Sequence, residues 1–88
     1  MIKCLGPYQH KPDKLGDAYW RYPLLGTMLY GVFQVKTTKW YRHRAVPAIP
    51  MAVYDTMEQA MTALDQELIE HGYTLLTQEQ FDKYKLLA

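Results

Sequence analysis

Residues 39–44 read Lys-Trp-Tyr-Arg-His-Arg, and Lys36 stands three positions earlier. Cationic side chains contact phosphate oxygens, and a planar indole or guanidinium stacks on nucleobases. Lys36, Lys39, Trp40, Arg42 and Arg44 are therefore the candidate residues for binding nucleic acid or another partner. A second chemistry uses the same letters. His43 as a base and an arginine as charge stabiliser are residue types found in small ribonuclease toxins. Neighbours in a strand alternate faces, however, so His43 would point away from Arg42 and Arg44. The expectation is a binding surface without a catalytic residue.

The acidic side chains form a separate set. Glu58, Asp65 and Glu70 lie along one expected helix as a face for a basic protein groove. No neighbouring histidine or apolar pocket is evident to raise a carboxyl pKa there. Metal and cofactor chemistry are not expected. His10, His43, His71 and Cys4 are widely separated and lack zinc-ligand spacing, and Gly26, Gly31 and Gly72 form no phosphate-binding loop.

The elements that must position these residues follow from periodicity. Met28 to Lys36 and Lys39 to Val46 read as two strands rich in Val, Tyr, Phe and Trp, joined by a "KTTK" turn. A four-residue turn pairs Val35 with Trp40, Phe33 with Arg42 and Gly31 with Arg44; an odd-length connection exchanges the two faces. Residues 51–54, "MAVY", add a third strand. Asp55 with Glu58 reads as a helix cap. Met57, Ala60, Met61, Leu64 and Leu68 then make one apolar stripe on a helix running to about His71. Gly72 suits the positive-φ position that closes it. "TQEQ", residues 77–80, caps a short second helix.

Nearer the N-terminus, Ile2 to Leu5 reads as a short strand and residues 8–18 as a loop. Pro23 demotes "YWRYPLLG" to an edge strand, which offers a route to a homodimer. Strands first and helices after predict an α+β domain. Its expected form is a three- to four-stranded antiparallel sheet packed on one main amphipathic helix, with a short C-terminal helix.

Composition sets the remaining limits. With 88 residues, 49% of them apolar, the chain reads as one domain over residues 1–88 with a modest core. A single cysteine, Cys4, permits no intrachain disulfide and points to a reducing, cytoplasmic setting. No apolar run approaches the roughly 18 residues of a membrane span, and the N-terminus lacks the apolar core of a signal peptide. Charge is divided along the chain. Residues 1–46 carry eight Lys and Arg against two Asp, net +6, and residues 47–88 carry two Lys against seven Asp and Glu, net −5. Eight Tyr, two Trp and two Phe add rings suited to interfaces.

Residues 54–65, "YDTMEQAMTALD", resemble the strand-to-helix junction of AP2-type DNA-binding domains, carried by Tyr54, Asp55, Thr56, Glu58, Ala60, Ala63 and Asp65. Upstream, Gly31-Val32 and Lys39-Trp40 are similar to that family's G-V and K-W pairs. The resemblance covers about residues 30–70. It implies three strands packed on one helix, with the sheet in a DNA groove. Phe33 and Val35 stand where that family's first strand carries base-contacting arginines. In size and aromatic content the chain also looks like accessory proteins of phages and mobile elements. The leading expectation is a small binding module that engages nucleic acid or a nucleoprotein complex through the basic hairpin. The alternative is a protein-binding inhibitor of a host defence system, of anti-CRISPR or anti-restriction type.

Overall fold

The computed structural model describes residues 3–12, 16–26, 29–34, 40–42 and 52–87, with Tyr41, Arg42 and Leu87 described by their backbone. Along the chain these form β1 (Cys4–His10), β2 (Ala18–Pro23), β3 (Tyr30–Phe33), β4 (Trp40–Arg42), β5 (Val53–Tyr54), α1 (Met57–Glu70), β6 (Thr74–Leu75) and α2 (Gln78–Leu87). The class is α+β. The sheet holds six strands in the order β5-β4-β3-β2-β1-β6 among the described residues. Every neighbouring pair is antiparallel except β1 and β6, which run parallel.

The C-terminal half of the sheet follows the expected meander, β3-β4-β5, and leads directly into α1. The extra width comes from the N-terminal third. β1 continues to His10 through residues expected to be a loop, and β2 lies between β1 and β3 instead of at an edge. Pro23 does not prevent this. It is the last residue of β2 and lies beyond the final β2–β3 pair, Arg21 with Tyr30, so that ladder loses no donor. On β1, Gly6-Pro7 forms a bulge: Leu5 pairs with Pro23, whereas Tyr8 already pairs with Arg21.

The Tyr73–Leu76 stretch, expected as a brief extended piece, becomes the far edge strand. Thr74 N–H donates to the Lys3 carbonyl and Leu76 N–H to the Leu5 carbonyl, both at 2.8 Å. α1 is thus the crossover that returns the chain alongside β1.

α1 starts one residue later than the sequence suggests. Its cap is Thr56, not Asp55: Thr56 is extended, with φ −127° and ψ 157°. Its hydroxyl accepts from Gln59 N–H at 3.2 Å, and Thr56 N–H donates to the Gln59 side chain at 3.3 Å. The last extended residue is the one whose side chain reaches the third helical N–H, and Asp55 stands one step too early. The far end closes as expected. Gly72 takes φ 88°, with its N–H on the Ile69 carbonyl and Tyr73 N–H on the Leu68 carbonyl. α2 repeats the capping box with Thr77 and Gln80.

The helices cover opposite faces of the sheet. On one, Ala60, Leu64 and Leu68 of α1 meet Leu5, Tyr30 and Val32, all buried. The periodic stripe is therefore what the sheet buries. On the other face, Phe81 of α2 packs with Leu24 and Leu76, flanked by Cys4, Tyr22 and Tyr84. Gly6 makes this approach possible, because a Cβ there would lie 2.7–2.9 Å from the Phe81 ring. Among the described residues no helix is long and apolar enough to cross a membrane.

Candidate functional site

The β3–β4 hairpin has a different register from the one a four-residue turn requires. Val32 pairs with Arg42 and Phe33 with Tyr41. Gln34 therefore stands opposite Trp40, five residues lie between them, and the faces exchange as an odd-length connection demands. Trp40 joins the α1 side of the sheet. It pairs with Tyr54, is half-buried and packs against the main core, with the Tyr19 ring 6.1 Å away. Trp40 and Phe33, expected on one face, lie on opposite faces of the sheet. Arg42 occupies β4 by its backbone, whereas Lys36, Lys39, Arg44 and His43 lie outside the described residues.

The acidic set divides as well. Glu58 and Glu70 are exposed on α1. Asp65 leaves the solvated face and turns to the sheet. Arg21 of β2 grips it with two parallel bonds, Nε to Oδ1 and Nη2 to Oδ2, each 3.0 Å. The third arm, Nη1, donates to the Gly6 carbonyl at 2.8 Å. That carbonyl belongs to the β1 bulge, where the ladder is interrupted and an acceptor becomes available. Tyr8 completes the cluster. Its hydroxyl donates to Asp65 Oδ1 at 2.8 Å, and its ring lies 4.2 Å beneath the guanidinium carbon.

Electrostatics keep the Tyr8 hydroxyl neutral and the Arg21 guanidinium charged. Burial pushes the Tyr8 hydroxyl well above its ordinary range, and the charge and hydrogen bond of Asp65 push it further. Burial alone would lower the Arg21 pKa, but the bond and charge of Asp65 outweigh it and hold the guanidinium charged. The side chains of Arg21 and Asp65 are 10% and 28% exposed, so the pair is desolvated enough to be costly if broken. With its hydroxyl kept neutral and every arm of the guanidinium occupied, the cluster braces α1 against β1 and β2.

Sequence reasoning missed this brace, although one signal was present. Asp65 follows Met61 by four residues and precedes Leu68 by three, so it stands in a row of the apolar stripe. A carboxylate there needs a cation on the sheet beneath it, and Arg21 lies in the aromatic run Tyr19-Trp20-Arg21-Tyr22.

Two concave regions accompany these residues. A groove of about 620 Å³ runs between β5 and α1, lined by Val53, Tyr54, Asp55, Glu58, Gln59 and Thr62 among others, and Val53 is 54% exposed. A cleft of about 470 Å³ opens on the α2 side, between the β1–β2 strands and α2. No protein-family model, curated protein or solved structure matches the chain.

Proposed function

We propose that this protein is a small non-catalytic binding module, of the kind carried by phages and mobile elements, that engages nucleic acid or a nucleoprotein complex through its β3–β4 hairpin. The observation that carries this reading is how charge is distributed along the sequence. The sequence holds no carboxylate between Asp17 and Asp55, a stretch with five Arg and Lys. Arg21 is compensated from outside that stretch, by Asp65. The remaining four, Lys36, Lys39, Arg42 and Arg44, fall within nine residues on and beside one strand pair. Such a density of cations attracts phosphate and releases counterions on binding.

Fluorescence anisotropy with labelled mixed-sequence DNA and RNA tests the proposal. Binding is expected at about 50 mM salt, falling steeply as salt rises. Arg42→Ala with Arg44→Ala should weaken it by on the order of tenfold or more. Trp40 is a poor probe, because its loss also disturbs the core. No measurable affinity of the unaltered protein at low salt refutes the reading.

A second reading rests on the groove between β5 and α1. An exposed Val53 beside Glu58 at a sheet edge offers apolar contact and negative charge to a basic protein. An inhibitor of a host defence complex would use such a surface. Affinity capture with Val53→Glu as control tests it, a stoichiometric partner lost in the variant being the expected result.

A further inference from the structure

On the sheet face opposite α1, the cleft beside α2 is built from Gln9 and Lys11 at the end of β1, Tyr22 and Pro23 of β2, and Phe81 and Lys85 of α2. Its two cations are laid over its two rings. Lys11 Nζ is 5.8 Å from the Tyr22 ring centre, and Lys85 Nζ is 5.3 Å from that of Phe81. Among the described residues neither lysine forms an ion pair, in contrast to Arg21 with Asp65. Among the described residues no carboxylate lines the cleft, and Asp82 on the same helix is held by Gln78 at 2.9 Å.

Scattered surface lysines would be ordinary solubilising groups. These two converge on one concavity whose floor is aromatic, the combination that holds a phosphate beside a planar base. We propose that this cleft binds single-stranded nucleic acid, taking one nucleotide at a time. Lys11 and Lys85 swing from the rings to the phosphate, and the freed face of the half-buried Tyr22 receives the base, with the buried Phe81 ring as the floor beneath it.

The volume selects the single strand. About 470 Å³ suits a small-molecule-sized group. A duplex keeps its bases paired and stacked and has none to insert, whereas a single strand turns one out at little cost. Position fits as well. Lys11 N–H bonds the Ala18 carbonyl, and Gln34 N–H bonds that of Asp17. Lys11 and the start of the β3–β4 connection thus share one end of the sheet, and a strand held in the cleft leaves it towards the hairpin. The inference rests on the nucleic-acid reading and adds a second contact with its own preference.

The test compares a labelled oligothymidylate of about twelve nucleotides with a duplex of equal length, a strand that covers one such site. Lys11→Glu with Lys85→Glu should weaken single-strand binding about tenfold or more and reduce its salt slope by about 1.4, the value for two phosphate contacts. Duplex binding should change much less. In a nitrogen-15 NMR titration the amides of Lys11, Tyr22, Phe81 and Lys85 should shift with the oligothymidylate. Retained helical circular dichroism confirms folding, and Lys11→Arg with Lys85→Arg should restore affinity. Unchanged single-strand affinity in the glutamate variant, or shifts that avoid these amides, overturns the cleft while leaving the hairpin standing. Failure of the unaltered protein to bind either probe removes both.

Discussion

The two faces of the sheet are held by different physics. Beneath α1, an apolar layer of Leu5, Tyr30, Val32, Ala60, Leu64 and Leu68 is pinned by directional bonds from Arg21 to Asp65 and Gly6 and from Tyr8 to Asp65. Beneath α2, the contact is smaller and apolar, centred on Phe81 against Gly6, with Leu24 and Leu76. A bidentate pair fixes how a helix sits as well as how tightly it is held. Among the described residues, apolar shape is what fixes the second helix. The β1 bulge serves both sides, giving a carbonyl to Arg21 and a missing side chain to Phe81.

The largest expected effect breaks the directional side. Arg21→Met leaves Asp65 and the Gly6 carbonyl without their partner and should cost about 3 kcal/mol in urea unfolding. That is the lower end of the range, because Asp65 keeps some contact with water. Arg21→Met combined with Asp65→Leu should recover part of the loss. If both single variants are near neutral, the brace does not distinguish the two faces.

Next comes the shape-dependent side. Gly6→Ala drives a methyl to 2.7–2.9 Å from Phe81 and should destabilise by about 1–3 kcal/mol. Phe81→Leu in the same chain should relieve the clash, whereas it should do nothing for Arg21→Met. The expected coupling is read in a double-mutant cycle.

A pH titration sharpens the comparison further. Tyr8 and Tyr30 both ionise later in the folded protein than their ordinary 10.0, Tyr8 through burial and Asp65, Tyr30 through burial and its 2.6 Å bond to Tyr73. A raised pKa means stability is fully present below the unfolded value and lost above it. Stability should therefore fall beyond pH 10, by at most about 1.4 kcal/mol per pH unit for each proton. Tyr8→Phe should flatten that alkaline slope, and an unchanged slope would remove Tyr8 from the account.

The smallest effects are at the caps. Thr56→Ala and Thr77→Ala should each cost about 1 kcal/mol, similar in the two helices because each loses one capping box. A much larger loss at Thr77 would mean that α2 depends on its own helix formation more than on Phe81.

Legibility followed the range of each interaction. The α1 stripe, the closure at Gly72 and the Thr77–Gln80 box are contacts within a few residues, and the letters alone display them. The cap at Thr56 was misplaced by one position because Asp55 and Thr56 are both good capping residues, and where the chain leaves the sheet decides between them. Trp40 packs on the α1 side because parity in the β3–β4 connection, invisible in composition, decides which face it presents. Asp65 was grouped with Glu58 and Glu70 by charge, although its row on the helix belonged with Met61 and Leu68.

By itself the sequence determined that strands and amphipathic helices would form, which helix face would be apolar, and where each helix would stop, because periodicity and capping act through neighbours in the chain. Tertiary structure decided that β2 is central, that β6 runs parallel beside β1, that Trp40 packs towards the core, and that Arg21 meets Asp65. The last of these joins residues 44 positions apart. Contacts of that reach are selected by which surfaces the assembled sheet brings together, and no local stretch of the chain contains that information.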